Sequence, residues 1–261
     1  MVLRWKSVVG KWFVGGAAVA VSLASAGAPA VAAVPPGGFA VFAQCPLGTH
    51  GENGCIYAPV EGGYLTLDET VVPIAKTFVL QGGVLEEREG ENVSPLAAAL
   101  DGETLTKASL VIPGGLFGRP LYAVTELAVP AGSILLGFRE PVTIVLPIKV
   151  RLVSPLLGAE CSIGSNSHPI VLSLTTGTSG RLTGNPGKKT STGEGRILVV
   201  RGLSVVSSGF AVPKAVGCGS ALVDEAVDAK LGLPLSKGTA AVFDMTFEQA
   251  SATAVEEESE G

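Results

Sequence analysis

The sequence predicts an all-β fold, an antiparallel β-sandwich or irregular barrel with one short helix near the C-terminus. Of the 261 residues, 35 are Gly and 17 are Pro, which disfavours long helices because Gly costs backbone entropy and Pro interrupts the helical hydrogen-bond ladder. Short apolar runs between turn-forming residues alternate as half-buried strands do. Only one segment has clear helical spacing. These features are typical of many short strands around one core.

Residues 1–33 are predicted to be a cleavable signal peptide. Residues 12–24 form an apolar stretch, and Ala30-Val31-Ala32 supplies the small-residue cleavage pattern. A basic segment without acidic residues precedes them, containing Arg4, Lys6 and Lys11. An uncleaved membrane anchor is the alternative, because no charge interrupts residues 12–34.

The predicted mature chain, residues 34–261, is acidic. Cleavage removes three of the 18 basic residues and none of the 23 acidic ones, so the net charge changes from −5 to −8. An acidic surface disfavours nucleic acids and anionic membranes as partners. No membrane span is expected after cleavage. We expect a single β-rich domain over residues 34–250, followed by an acidic disordered tail over residues 251–261.

All cysteines follow the predicted cleavage site: Cys45, Cys55, Cys161 and Cys218. An even number in an exported protein predicts two disulfides, for which three pairings are possible. We favour Cys45–Cys55 and Cys161–Cys218, because the segment PLGTHGENG between the first two is rich in turn formers. A zinc site with cysteine, His50 and His168 as ligands is the alternative, but the spacings match no paired C-x-x-C pattern.

The strands predicted in the first half of the chain are short. Apolar or alternating runs predict them at residues 39–42, 55–58, 64–67, 71–74, 77–80, 104–112 and 121–129. Pro73 indicates an edge position or a bulge, since proline cannot donate to a sheet ladder. Residues 86–102 are acidic and contain Pro95, so they predict a loop with one helical turn.

The second half contains the longest β-like run, residues 142–153, in which alternate residues share one face. Residues 177–195 are rich in Gly, Ser and Thr and predict an exposed loop. Residues 218–231 predict the single helix, because their apolar residues have helical spacing and Gly232 follows the end. Ser220 is the predicted cap of that helix. Further strands are predicted at residues 170–176, 196–206 and 240–247.

The densest polar cluster is Ser165, Asn166, Ser167 and His168. A serine beside a histidine is the pattern of a nucleophile and its general base, so the cluster is a candidate hydrolase site. The interpretation that we favour is a hydrogen-bonded turn near Cys161, whose side chains bond their own backbone. The chain has no G-x-S-x-G, dinucleotide-binding or phosphate-loop motif. We therefore assign no catalytic residue, metal ligand or cofactor.

The block SPLLGAECSIGSNSHPIVLSLTTGTSG, residues 154–180, and the later segment AKLGLPLSKGTAA resemble a group of exported actinobacterial proteins of unknown function. The most specific part is the stretch Cys-x-Ile-Gly-Ser-Asn-Ser-His-Pro, and the resemblance extends through most of the mature chain. It implies export and an actinobacterial envelope as the setting. It implies no activity, substrate or catalytic residue.

We expect an exported, disulfide-stabilised, non-enzymatic protein that binds to or packs into cell-envelope or extracellular material. Its expected partner is a cell-envelope polymer or a surface protein. The first alternative is a secreted carrier of an apolar small molecule, which the aliphatic strands indicate and which requires an enclosed pocket above roughly 300 Å³. The second is a secreted hydrolase that uses Ser165 or Ser167 with His168.

Overall fold

The computed structural model describes residues 37–48 and 51–260, so the predicted signal peptide and His50 lie outside the described residues. The strands of the described ranges are β1 (Gly54–Leu67), β2 (Thr70–Pro73), β3 (Phe78–Val84), β4 (Ser94–Ala97), β5 (Ser109–Val111), β6 (Tyr122–Leu127), β7 (Leu135–Gly137), β8 (Thr143–Val153), β9 (Ser162–Ile163), β10 (Ile170–Thr175), β11 (Thr178–Ser179), β12 (Leu182–Thr183), β13 (Lys188–Thr192), β14 (Ile197–Ser208), β15 (Ala215–Val216) and β16 (Thr239–Ser251). The α-helices are α1 (Ala221–Leu231) and α2 (Ala252–Glu260), and 3₁₀ turns lie at Gly37–Phe42, Ala131–Ser133 and Gly193–Gly195.

Eight strands close an antiparallel barrel in the order β1, β3, β4, β7, β8, β10, β14, β16, with β16 returning to β1. The predicted all-β class is confirmed, and the barrel is the form that the chain adopts. Strands β6 and β5 extend the sheet outward from β8, and β13 extends it from β14. The short β11 and β12 form a separate hairpin.

The longest strands are β1, β16 and β14, with 14, 13 and 12 residues, whereas β8 has 11. The strand predicted at residues 142–153 is confirmed as β8, but three other strands are longer. Irregular pairing explains the difference, because the register shifts between Val60 and Gly62 and between Val200 and Leu203. Glycines at these bulges interrupt the apolar pattern of a strand that continues beyond them.

The main core fills the barrel with aliphatic and aromatic side chains that alternate inward. Ile144, Leu146 and Ile148 of β8 are all buried, as their shared parity predicted. The ring of Phe243 packs edge-on against Phe78 with centroids 5.5 Å apart. Helix α1 adds Val227 and Leu231 to this core. The predicted helix is confirmed with a slightly later start, and Gly232, with φ of 70°, is its C-cap. Ser220 occupies the N-cap position, but its side chain makes no capping hydrogen bond.

A second apolar core lies on the outer face of the barrel wall. It joins the first 3₁₀ turn and α2 to strands β1, β14 and β16, through Phe39, Phe42, Cys45, Cys55, Ile197, Val199, Ala250, Ala254 and Val255. Residues 39–42 were expected to form a strand but form the 3₁₀ turn, because Phe39 and Phe42 are three residues apart and so share one side of a 3₁₀ helix.

The disordered tail predicted for residues 251–261 is wrong over the described part, since Ala252–Glu260 is helical. Val255 is fully buried, and Arg196 forms ion pairs with Glu257 and Glu258. The guanidinium of Arg196 also lies 5.0 Å from the ring centre of Phe39. The four glutamates of this segment therefore lie on a docked helix. In the described ranges no helix has the length and apolar character needed to cross a membrane.

Two other predicted loops contain strands. Residues 86–102 include β4, and residues 177–195 include β11, β12 and β13. All residues of β13, with sequence KKTST, are exposed. This strand exists because it pairs with β14 over five residue pairs, not because its own residues are apolar.

Candidate functional site

The predicted polar cluster forms a tight turn between β9 and β10. The backbone N–H of Ser165 donates to the carbonyl of His168 at 3.0 Å, and the backbone N–H of His168 donates to the Ser165 hydroxyl at 3.1 Å. The Ser167 hydroxyl lies 3.0 Å from Nδ1 of His168 and 3.1 Å from the Ser165 hydroxyl. The side chains thus bond within their own turn, which is the arrangement that we favoured.

The turn lies at the outer surface, with Asn166, Ser167 and His168 exposed. Nζ of Lys149 donates to Oδ1 of Asn166 at 3.1 Å and fixes the turn to β8. Glu126 extends the network, because its carboxylate lies 4.0 Å from Lys149 and 3.0 Å from Arg151. The turn lines none of the cavities described below.

Both favoured disulfides are present. Cys45 bonds to Cys55, with Cα atoms 5.6 Å apart, and Cys161 bonds to Cys218, with Cα atoms 4.0 Å apart. The alternative zinc site is wrong with respect to its cysteine ligands, because all four cysteines are in disulfides. Within the part of the chain that the structure describes, no group of three or more His, Cys, Asp or Glu side chains is placed to hold a metal ion.

One cavity lies inside the barrel near the carboxyl ends of β1 and β8. Its volume is about 40 Å³, and its lining, which includes Leu65, Ile148, Leu172 and Phe210, is entirely apolar. This space is far smaller than the 300–1,000 Å³ of a typical small-molecule site.

A second cavity opens at the other end of the barrel, where β8 and β14 begin and β16 ends. We call it the mouth cleft. Its volume is about 100 Å³, and it is lined by Leu136, Gly137, Phe138, Glu140, Val142, Thr143, Ile144, Pro186, Lys189, Leu198, Val200, Leu203, Phe247 and Gln249.

Strand register builds one wall of the mouth cleft. Across β13, β14 and β16, Lys189 is opposite Val200 and Val200 is opposite Phe247, while Ser191, Leu198 and Gln249 form the next row of this kind. Residues directly opposite each other project from the same face of a sheet. The inner row of the wall therefore carries the apolar Val200 and Phe247 beside Lys189, the outer row carries Ser191 and Gln249 beside Leu198, and strand β13 forms the edge of the wall.

The connection from β7 to β8 builds the opposite wall. The ring of Phe138 packs on Phe247 with centroids 6.2 Å apart. Nζ of Lys189 donates to the carboxylate of Glu140 at 2.8 Å, so an ion pair joins the two walls. The hydrogen bond and the positive charge of Lys189 lower the pKa of Glu140 below its usual value. Phe138 and Leu198 are 37% and 38% exposed, so water reaches apolar side chains on both walls.

A shallow polar groove of about 450 Å³ continues the mouth cleft outward and shares Leu198 and Gln249 with it. We call it the rim groove, and its other residues are Asn53, Ser191, Gly195, Arg196, Ala250 and Ser251. The combined site has an apolar inner end and a polar outer end. The described lining contains neither histidine nor cysteine, and its arrangement suits binding of an apolar group with hydrogen bonds around it.

The sequence did not indicate this site. Its residues are spread over residues 53–251, and only the pairing of strands from opposite ends of the chain brings them together. The polar cluster, by contrast, lies within four consecutive residues, so the sequence alone identifies it.

No protein-family model, curated protein or solved structure matches this chain.

Proposed function

We propose that this protein is an exported, disulfide-stabilised, non-enzymatic binding protein of the cell envelope or extracellular space, and that the mouth cleft is its binding site. The observation that carries the proposal is an apolar cleft with Phe138 and Leu198 more than one third exposed at its opening. Exposed apolar side chains that converge on a concave site, bordered by polar groups, are typical of recognition surfaces. The proposed partner is a cell-envelope polymer or a surface protein.

Two features support export. Disulfides persist in oxidising compartments outside the cytoplasm, and this chain contains two. The first 33 residues have the composition of a signal peptide, and the resemblance to exported actinobacterial proteins agrees with both features.

The cavity volumes favour binding to a larger partner over carriage of an enclosed small molecule. A cavity of about 150 Å³ accommodates benzene, and the mouth cleft measures about 100 Å³. It therefore fits one aliphatic group that belongs to a larger molecule. The hydrolase interpretation is supported less, because the Ser167–His168 pair lies on an exposed turn away from both apolar cavities.

The proposal is tested by co-sedimentation of purified residues 34–261 with a cell-envelope fraction. We expect the folded protein to be retained and a denatured control to be lost. Leu198→Asp places a charge in the mouth cleft and should reduce retention at least about tenfold, equivalent to a loss of about 1.4 kcal/mol.

The matched control is Val171→Asp. Val171 is 43% exposed on β10 and lines none of the described cavities. This variant should be retained like the unaltered protein. Equal retention of both variants would exclude the mouth cleft as the binding site, and no retention of the unaltered protein would contradict the envelope-binding proposal itself.

A further inference from the structure

Within the described residues, one edge of strand β13 has no partner strand. Among the described strands it pairs only with β14, so the backbone N–H and C=O groups on its other side have no sheet partner. Its residues are all exposed. Such an edge is a template for another extended chain, and addition of a peptide strand to a free edge is a common mode of recognition.

The charges on β13 indicate what kind of chain this edge accepts. Lys188 lies directly opposite Arg201, and like charges in opposed positions destabilise a strand pair. Lys188 takes part in none of the ion pairs among the described residues, whereas Lys189 is paired with Glu140. Lysines on an edge strand repel basic strands and discourage neutral ones, so they favour an acidic strand.

The mouth cleft places a second requirement on a strand that binds beside β13. Side chains alternate between the two faces of a strand, so on a strand added beside β13 every second residue projects on the face of Lys189 and Ser191. That is the face that forms the wall of the mouth cleft. The residues between them project on the face of Lys188 and Arg201.

We propose that the protein binds an extended segment of a partner protein as an additional strand on β13, with an aliphatic side chain in the mouth cleft and acidic side chains facing Lys188 and Arg201. This inference depends on the proposed function and specifies its partner. The cleft volume of about 100 Å³ matches one aliphatic side chain.

The probe is a fluorescein-labelled, end-blocked nonapeptide in which Glu alternates with Leu or Val. Fluorescence anisotropy with purified residues 34–261 should give a Kd below about 1 mM. Lys188→Glu should weaken binding at least about tenfold, because it replaces attraction by repulsion. The matched control is Lys76→Glu, in the turn between β2 and β3 at the other end of the barrel, which should bind like the unaltered protein.

Binding through backbone hydrogen bonds to β13 is tested with two N-methylated forms of the peptide. Each form is methylated at a different set of alternate residues. In a strand added to an edge, one set of N–H groups faces β13 and the other faces solvent. One methylated peptide should therefore lose binding while the other keeps it. Equal affinity of the two forms would overturn strand addition.

Two further results would overturn the proposal. One is the absence of binding by the unmethylated peptide at 1 mM. The other is a dimer in sedimentation velocity that Lys188→Glu dissociates, which would make a second copy of the chain the occupant. The proposed function is judged separately, because loss of envelope retention in Leu198→Asp supports a binding role for the mouth cleft whether or not the peptide binds.

Discussion

Phe117 occupies an unusual backbone conformation at the tip of the connection between β5 and β6. Leu116 and Arg119 exchange two backbone hydrogen bonds of 2.9 Å, and the residues between them, Phe117 and Gly118, have φ of 49° and 73°. This is the pattern of a two-residue type I′ turn, which favours Asn-Gly because both central residues need positive φ. Phe117 is 71% exposed, so little packing offsets the strain.

We therefore predict that Phe117→Asn stabilises the protein. Asn tolerates the left-handed region better than Phe, and the gain should be about 0.5–1 kcal/mol in the free energy of unfolding. Urea denaturation monitored by circular dichroism measures it. The comparison is Val171→Asn, at an exposed position near the start of β10, where loss of a β-branched residue should give no gain. An unchanged or lower stability of Phe117→Asn would show that the ring makes a contribution to the fold.

The ion pair between Glu140 and Lys189 predicts a pH dependence. The pKa of Glu140 is lowered in the folded protein, so its contribution to stability is present above its ordinary pKa and is lost as the pH falls through the lowered value. We expect the difference in Tm between the unaltered protein and Glu140→Gln to be largest near neutral pH and to vanish in acid. Because both side chains are exposed, the effect should also shrink in high salt. A difference that persists unchanged at acidic pH would contradict this account.

At the scale of secondary-structure elements, the docking of α2 has a direct test. Val255 is fully buried in the second core, and Val255→Ala removes two methyl groups from it. The expected cost is about 2 kcal/mol in the free energy of unfolding, from the loss of buried apolar surface and the cavity left behind. Glu256→Ala, on the exposed side of the same helix, is the control and should change stability by less than about 0.5 kcal/mol. Equal stabilities of the two variants would indicate that α2 is not docked.

The elements differ in how far the sequence predicts them. Helix α1 was predictable because its apolar spacing and its flanking residues, Ser220 and Gly232, agree. Helix α2 was not, because its apolar contribution comes from Ala252, Ala254 and Val255 alone and four glutamates dominate its composition. Strand β13 was missed for a related reason, since all its residues are polar and only the pairing with β14 makes it a strand.

The same distinction holds for the candidate site. The polar turn at residues 165–168 was predictable, because Ser, Asn and His bond to their own nearby backbone. The mouth cleft depends on which strands are neighbours and on their register. Leu198 and Phe247, for example, belong to one site because β14 and β16 are paired, and neither residue differs in its local sequence from an ordinary core position.

At the scale of the whole molecule, the two disulfides should contribute unequally to stability. Cys161–Cys218 closes a separation of 57 residues and Cys45–Cys55 one of 10. Loop-closure entropy grows with the logarithm of loop length. Removal of Cys161–Cys218 should therefore lower the free energy of unfolding by about 1.5 kcal/mol more than removal of Cys45–Cys55 does. The test compares urea unfolding of the double variants Cys161→Ala/Cys218→Ala and Cys45→Ala/Cys55→Ala. A larger loss in the second variant would show that native packing around Cys45 and Cys55 outweighs chain entropy.

The closure of the barrel by β1 and β16 also determines when the protein can fold. These strands lie at opposite ends of the described chain, and β1 pairs with β16 along most of its length. Under the proposed export, a chain that crosses the membrane N-terminus first cannot complete the ring until residues 239–251 have emerged. Until then the edges of β1 and β14 that pair with β16 in the folded protein have no partner strand. A truncated product therefore remains accessible to proteases, and resistance to digestion marks a chain that includes residues 239–251.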